Sequence, residues 1–142
     1  MRTSCRFAVA VHVLTVLAYK KGERVTSSFL ADSVNTNPVV IRRLLLALQR
    51  AGLVETRKGA GFGSGLKQSA AEIRLSEVYR AVEEEDAFTL PRKKPSEACP
   101  VGHCIQKALG RVFVSAERAM EQELAKTTLA DILAMVKGCV EG

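Results

Sequence analysis

Two groups of side chains in this 142-residue chain are of types that could do chemistry. The first is Cys99-Pro-Val-Gly-His-Cys104, a pair of thiols with His103 beside the second. Thiolates and imidazoles ligate zinc and iron, although Cys-x4-Cys with one adjoining His is a weak spacing for any particular centre. Thiol chemistry is the other use of the same residues. Cys99 precedes Pro100, which can open a helix, and the unpaired N–H groups and dipole of a helix start favour a thiolate. Lys93, Lys94 and His103 add positive potential, so Cys99 and Cys104 are redox or sensor residues if a disulfide forms between them or between subunits. A plainer reading makes Cys99 a small residue at a cap and Cys104 a buried apolar one. The second group is basic: Arg42-Arg43 at the start of a helix, and Arg57-Lys58 with Lys67 around Gly59, Gly61, Gly63 and Gly65. Guanidinium and ammonium groups beside a backbone that can approach closely suit phosphates or a narrow groove.

Several enzyme classes fall away. The glycine run lacks the Gly-Lys-Ser/Thr ending of a phosphate-binding loop, and with 2 histidines no base–nucleophile pair stands out. Glu83-Glu84-Glu85-Asp86 has no His or Cys at ligand spacing and reads as a solvated face. Charge is distributed unevenly. The formal net charge is +6, but residues 1–67 carry 11 basic against 3 acidic side chains while residues 68–142 carry 10 against 12. The positive field, and with it an anionic partner, belongs to the first half. With 47% apolar residues the chain can bury a core, so its 4 cysteines do not form a disulfide scaffold and a reducing, cytoplasmic setting is expected. The apolar run Phe7 to Tyr19 contains His12 and Thr15, leads into Lys20-Lys21, and falls short of the roughly 20 residues of a membrane span. It reads as a buried first helix, with no membrane partner.

The elements that position these groups follow from local signals. Ser27 or Ser28 can cap a short helix ending near Val34. Asn37 is a favoured N-cap and Pro38 a favoured first residue for a third helix, with Ile41, Leu44, Leu45 and Leu48 towards a core and Gly52 ending it. Two helices joined by a tight turn form a helix-turn-helix. Leu53–Thr56 then reads as a strand, Arg57–Gly65 as a basic glycine-rich tip, and Leu66 onward as the return strand of a hairpin wing. Leu75–Val82 reads as a helix capped by Ser76, with Val78, Tyr79 and Val82 inward. Pro100 opens a helix to about Leu124 whose stripe Ile105, Leu109, Val112, Phe113, Ala116, Met120 and Leu124 is too long for so small a domain to hide alone, so a symmetry mate is its expected partner. Thr128-Leu-Ala-Asp131 has capping-box spacing and opens a last helix ending at Gly138.

Taken together, Arg6-Phe-Ala-Val, Ala31-Asp-Ser, Asn37-Pro-Val-Val-Ile-Arg-Arg-Leu, Ala51-Gly-Leu-Val, Lys58-Gly-Ala-Gly, Leu75-Ser-Glu-Val-Tyr-Arg-Ala-Val-Glu and Cys99-Pro-Val-Gly resemble the Rrf family of bacterial winged-helix regulators over nearly the whole chain. The look is nearest to its YwnA-like branch, which lacks the three-cysteine cluster motif. The resemblance implies a homodimer, joined through the long helix, whose paired winged motifs bind a pseudo-palindromic operator in double-stranded DNA. It places the recognition helix at residues 37–50, base reading at Arg42, and a minor-groove contact at Lys58, flanked by Arg57. Arg42 can reach guanine O6 and N7 together; Arg43, Asn37 and Val39 are further DNA-contacting residues, with Gly59 and Gly61 in the wing. Phe62 stands where a third glycine is common and Ser64 where an aromatic is common, so the wing contact differs. Ordinary solvated charge is the alternative for Arg42 and Arg43. Cluster-binding relatives use three cysteines before the long helix; here only Cys99 and Cys104 are present, and Cys5 could complete a set with Cys99, His103 and Cys104 for an iron-sulfur cluster or zinc. No cofactor is favoured.

The expected fold is mainly α with a small β-hairpin wing: a winged helix-turn-helix DNA-binding domain at 1–83, a loop with the sensor-region cysteine at 84–99, and a dimerisation helix with a C-terminal helix at 100–142. The expected function is a DNA-binding transcriptional regulator and repressor, responsive to redox or a small molecule, and not an enzyme. An iron-sulfur or zinc sensor, a thiol-disulfide oxidoreductase and a pure protein-interaction module are the alternatives. The oxidoreductase lacks the alternating strands its fold needs, and the interaction module does not account for the basic first half.

Overall fold

The computed structural model describes residues 5–59 and 61–142, so Ala60 of the expected wing tip lies outside the described residues. The elements run α1 (Arg6–Tyr19), α2 (Ser27–Val34), α3 (Pro38–Arg50), β1 (Val54–Arg57), β2 (Gly63–Leu66), a 3-10 turn (Ala70–Glu72), α4 (Leu75–Val82), α5 (Pro100–Leu124) and α6 (Leu129–Glu141). This is the mainly helical, hairpin-bearing class expected. An apolar helix must be covered on several sides, and α1 is: Ala10, Val13, Leu14 and Leu17 are buried between α6, α4, α2, α3 and β2.

Thr26, not Ser27 or Ser28, caps α2, its hydroxyl accepting from the Phe29 N–H at 3.1 Å. Val25 bridges Ser64, so the chain arrives extended at Thr26, and that residue takes the cap. Asn35, at φ 64, ends α2 in the left-handed region and turns the chain towards α3. Asn37 and Pro38 act as expected: the Asn37 side-chain oxygen accepts from the Val39 N–H at 2.8 Å and Pro38 opens the helix. Gly52, at φ +79, closes it, with Leu53 N–H donating to the Leu48 carbonyl across the end. Because Asn37 pairs a donor that nothing in the helix can, Asn37→Ala will cost about 1 kcal/mol, lowering the melting temperature by roughly 2–4 °C in a calorimetric scan.

The wing departs from expectation by where it turns. β1 begins at Val54, and β2 begins within the glycine run, pairing Arg57 with Gly63, Thr56 with Ser64 and Val54 with Leu66. The return strand starts early because Ser64 bonds Val25 on its other side, at 2.9 and 2.7 Å, so it is a central rung and not loop. A Cβ at Gly63 would stand 2.9 Å from the Val25 carbonyl oxygen, and φ there is +126, so only glycine admits this approach. Arg24 braces the base of the wing through Glu55 at 2.8 Å; this hydrogen bond, and then the guanidinium charge, holds the Glu55 carboxyl below its usual range.

Ser76 does not cap α4. It is buried inside the helix, and Arg74 is the extended residue before it. Arg74 bridges Thr128 and Leu75 N–H donates to the Thr127 carbonyl, so the extended segment runs to Arg74 and the helix starts immediately after. The same stitching returns the chain from α5 to the core: Leu129, at the start of α6, is fully buried. Thr128 and Asp131 form the expected capping box, and the Thr128 N–H holds the Asp131 carboxyl below its usual value. α6 continues through Gly138 to Glu141, because no neighbour or left-handed turn stops it there.

α5 matches its expected bounds of Pro100 and Leu124 over 25 residues, about 37 Å long, and buries none of its residues in the chain. Its attachment to the rest combines the half-buried apolar stripe, with Phe113 stacked on Phe88, and a set of polar bonds. Glu117 accepts from the Tyr79 hydroxyl at 2.9 Å and from the Ala87 N–H at 3.0 Å, and Arg80 pairs with Glu121 at 2.6 Å. Burial, followed by the hydrogen bond and charge of Glu117, pushes the Tyr79 phenol up to about 12 from 10.0. A raised acid pKa means the neutral form is favoured in the fold: the stability it contributes is complete below about pH 10 and lost as pH rises through about 12. In Glu117→Gln, tyrosinate absorbance will titrate closer to the ordinary phenol value. A Tyr19→Phe background isolates the signal, since the chain has 2 tyrosines; an unchanged midpoint would remove Glu117 from the account.

Candidate nucleic-acid interface

The amphipathic pattern of α3 decides which side chains reach outward. Ile41, Leu44, Leu45 and Leu48 are buried, which leaves Val39, Arg42, Arg43, Leu46 and Arg50 exposed on the outer face. The wing stands beside that face. Between the two runs a groove of about 540 Å³ in which Arg42 meets Arg57, Lys58 and Gly59. Residues 15 positions apart in sequence are thereby gathered along one channel. No Asp or Glu is among the described residues lining it, so every charged side chain on its lining is basic.

The other residues expected to contact DNA fall differently. Val39 and Arg43 lie on the exposed face of α3 but outside the groove, and Gly61 lies at the wing turn, at φ +75. Asn37 is exposed, but its side-chain oxygen is committed to the Val39 N–H, so it serves the helix start before it can serve a base. Among the groove residues that the sequence does not single out are Ser27 and Ser28 at the start of α2, and Leu46 and Gln49 on α3. Helical spacing alone could have found Leu46 and Gln49, which follow Arg42 at four and seven positions. Phe62, noted in sequence only as an odd residue in a glycine run, also lines it.

All four cysteines are free and exposed, which corrects the buried reading of Cys104. Cys99 is the N-cap of α5 and makes no side-chain cap bond, while its carbonyl accepts from the His103 N–H at 2.8 Å. Cys5 is the N-cap of α1 and so precedes that helix.

A family model described as an iron-dependent transcriptional regulator, Rrf2, matches residues 3–135. The chain belongs to the Rrf2 family. Its sequence is 44% identical over 128 residues to YwnA of Bacillus subtilis, a candidate helix-turn-helix regulator, covering 90% of this chain and 94% of that one. A crystal structure of a protein assigned to DNA binding is 45% identical and superposes with a TM-score of 0.73 over 90% of this chain and 98% of the other. The global cysteine regulator CymR of Bacillus subtilis, at 20% identity, shares the fold with a TM-score of 0.68, covering 95% and 98%. This Rrf2 protein is a transcriptional regulator and not an enzyme, which sets aside the thiol-disulfide oxidoreductase. Among the described residues no helix is long and apolar enough to cross a membrane.

The family description raises iron. An iron-sulfur or zinc centre needs three or four ligands converging on one point, and among the described residues no three His, Cys, Asp or Glu side chains come together. Cys5, Cys99, His103 and Cys104 of one chain therefore do not fit such a centre.

Proposed function

We propose that this Rrf2 protein is a sequence-specific DNA-binding repressor that works in the cytoplasm as a homodimer on a pseudo-palindromic operator. The observation that carries this reading is the α3–wing groove, which aligns Arg42, Arg57 and Lys58 with no opposing carboxylate. A helix presents its starting residues to base edges in the major groove, while charge beside it engages phosphates. Arg42 is the base reader, Arg43 and Val39 flank it, and Arg57, Lys58, Gly59 and Gly61 carry the wing contact. The stripe of α5 supports dimerisation: Val112 is 60% exposed, and Ile105, Leu109, Phe113, Ala116, Met120 and Leu124 are only half-buried by the single chain. Gel retardation of a duplex enriched from a randomised library, against a scrambled duplex, tests the reading. Selective retardation by a species of dimeric mass is expected, and equal retardation of both would overturn sequence specificity.

Signal input is assigned to the segment before α5. Cys99 is exposed at the N-cap of that helix, and a Cβ on Gly102 would stand within contact of the Ser96 backbone, so this loop packs tightly on the first turn. Oxidation of Cys99, by disulfide formation with Cys104 or with a second chain, would strain that turn and alter the spacing of the two recognition helices. Retardation before and after peroxide, with Cys99→Ser as control, separates this from the metal-sensor alternative, which predicts stoichiometric iron, zinc or sulfide in protein purified without oxygen.

A further inference from the structure

We propose that the α3–wing groove holds one deoxyribose-phosphate strand between apolar walls supplied by Leu46 and Phe62, so that part of the protein's hold on DNA is independent of salt. The inference rests on the DNA-binding reading above and extends it to two residues with no charge and no hydrogen-bonding group. Leu46 is 47% and Phe62 59% exposed, and both face the groove that Arg42, Arg57 and Lys58 line. Neither is needed for the core, which α3 supplies with Ile41, Leu44, Leu45 and Leu48. An exposed Leu and Phe on a surface built for an anion have no role if phosphate is the whole occupant.

The wing tip also fixes the backbone from which the ring projects. Phe62 N–H donates to the Gly59 carbonyl at 2.9 Å, closing the turn at the tip. The next residue, Gly63, is locked against the Val25 backbone, so the main chain that carries the ring cannot move away without breaking the rung to Ser64. A nucleic-acid strand alternates an anionic phosphate with an apolar sugar face, which is the alternation of surfaces the groove presents. The strand that separates the major groove, where a recognition helix lies, from the neighbouring minor groove passes between helix and wing. By contrast, the cavity beside α5, where Asp86, Glu117 and Glu121 outnumber Arg118 around the stacked Phe88 and Phe113, disfavours such a strand.

Sugar contacts carry no sequence information and release no counterions, which makes them separable from both the base reader and the cationic rim. Fluorescence anisotropy of the full-length chain across a KCl series, on an enriched duplex and on a scrambled one, reads all three. Phe62→Ala and Leu46→Ala are each expected to weaken binding about tenfold on both duplexes, with the slope of log affinity against log salt unchanged. Lys58→Ala should instead flatten that slope by about one unit. Phe62→Leu, which keeps an apolar wall, should retain most of the affinity. Unchanged binding by both alanine variants, a flattened slope, or a lowered melting temperature that accounts for the loss would overturn the proposal. So would competition by polyglutamate equal to that of the scrambled duplex, since a peptide has no sugar face. If the unaltered chain binds neither duplex, the DNA-binding reading itself fails, an outcome distinct from a failure of the walls alone.

Discussion

Arg42→Ala will lower affinity for the enriched duplex by about 1–3 kcal/mol, or roughly five- to 150-fold, and will relax preference at one base position in each half-site. The size of the effect follows from the placement of the residue. Arg42 is exposed one turn into α3, while its neighbours Ile41, Leu44 and Leu45 are buried. The helix axis is thus set by the core, and the guanidinium is delivered from a rigid base. Its fork can take two acceptors of a guanine at once, and no carboxylate in the groove competes for it. Since the side chain is exposed and makes no core contact, truncation should leave stability within about 0.5 kcal/mol, which thermal melting checks. Arg42→Lys keeps the charge but loses the paired geometry, and should behave nearer to alanine on the enriched duplex than on the scrambled one. An equal loss on both duplexes would identify Arg42 as a phosphate contact and move base reading to Arg43 or Val39.

On the proposed homodimer, Val112→Glu is expected to give a monomer and to reduce affinity for the enriched duplex by a factor on the order of 10² to 10⁴, the loss that follows when two linked half-site contacts become separate binding events. In the single chain Val112 is 60% exposed and α5 buries nothing, so a glutamate there disturbs no intramolecular packing. Glutamate is also a good helix former, which leaves α5 itself intact. All the damage then falls on whatever covers the stripe, where an unpaired carboxylate is costly to desolvate. Light scattering gives the mass and circular dichroism confirms the fold. A Val112→Glu chain that remains dimeric would place the interface on another face, and one that is monomeric yet binds the operator at full strength would remove dimerisation from the mechanism.

Expectation and structure agree where a signal is local, and they part where a distant segment intervenes. Asn37-Pro38 at the start of α3, Gly52 at its end and the Thr128–Asp131 box each satisfy backbone groups within a few residues of themselves, so their residue types were enough to place them. The bounds of α5 were legible for the same reason, with Pro100 opening the helix. None of Ser27, Ser28 and Ser76 caps its helix, because Val25 bonds Ser64 and Arg74 pairs with Thr128, contacts that shift both helix starts and lie 39 and 54 positions away in sequence. The glycine run was taken for loop because glycine has no side chain with which to signal a strand. Only packing against Val25 showed that Gly63, Ser64 and Gly65 form one.

The same division holds for function. By itself the sequence determined the basic first half, the helix-turn-helix with its Arg42, the wing with its Arg57 and Lys58, the apolar stripe of the long helix, and the family. These are properties of residue type and period. Tertiary structure alone decided that Arg42 shares a groove with Arg57 and Lys58, that Leu46 and Phe62 wall it, that Asn37 is committed to its helix, and that the four ligand-type residues of one chain do not converge. Each of these depends on how α3, the wing and α5 are oriented by a common core, and orientation is set by long-range burial, which no local pattern records.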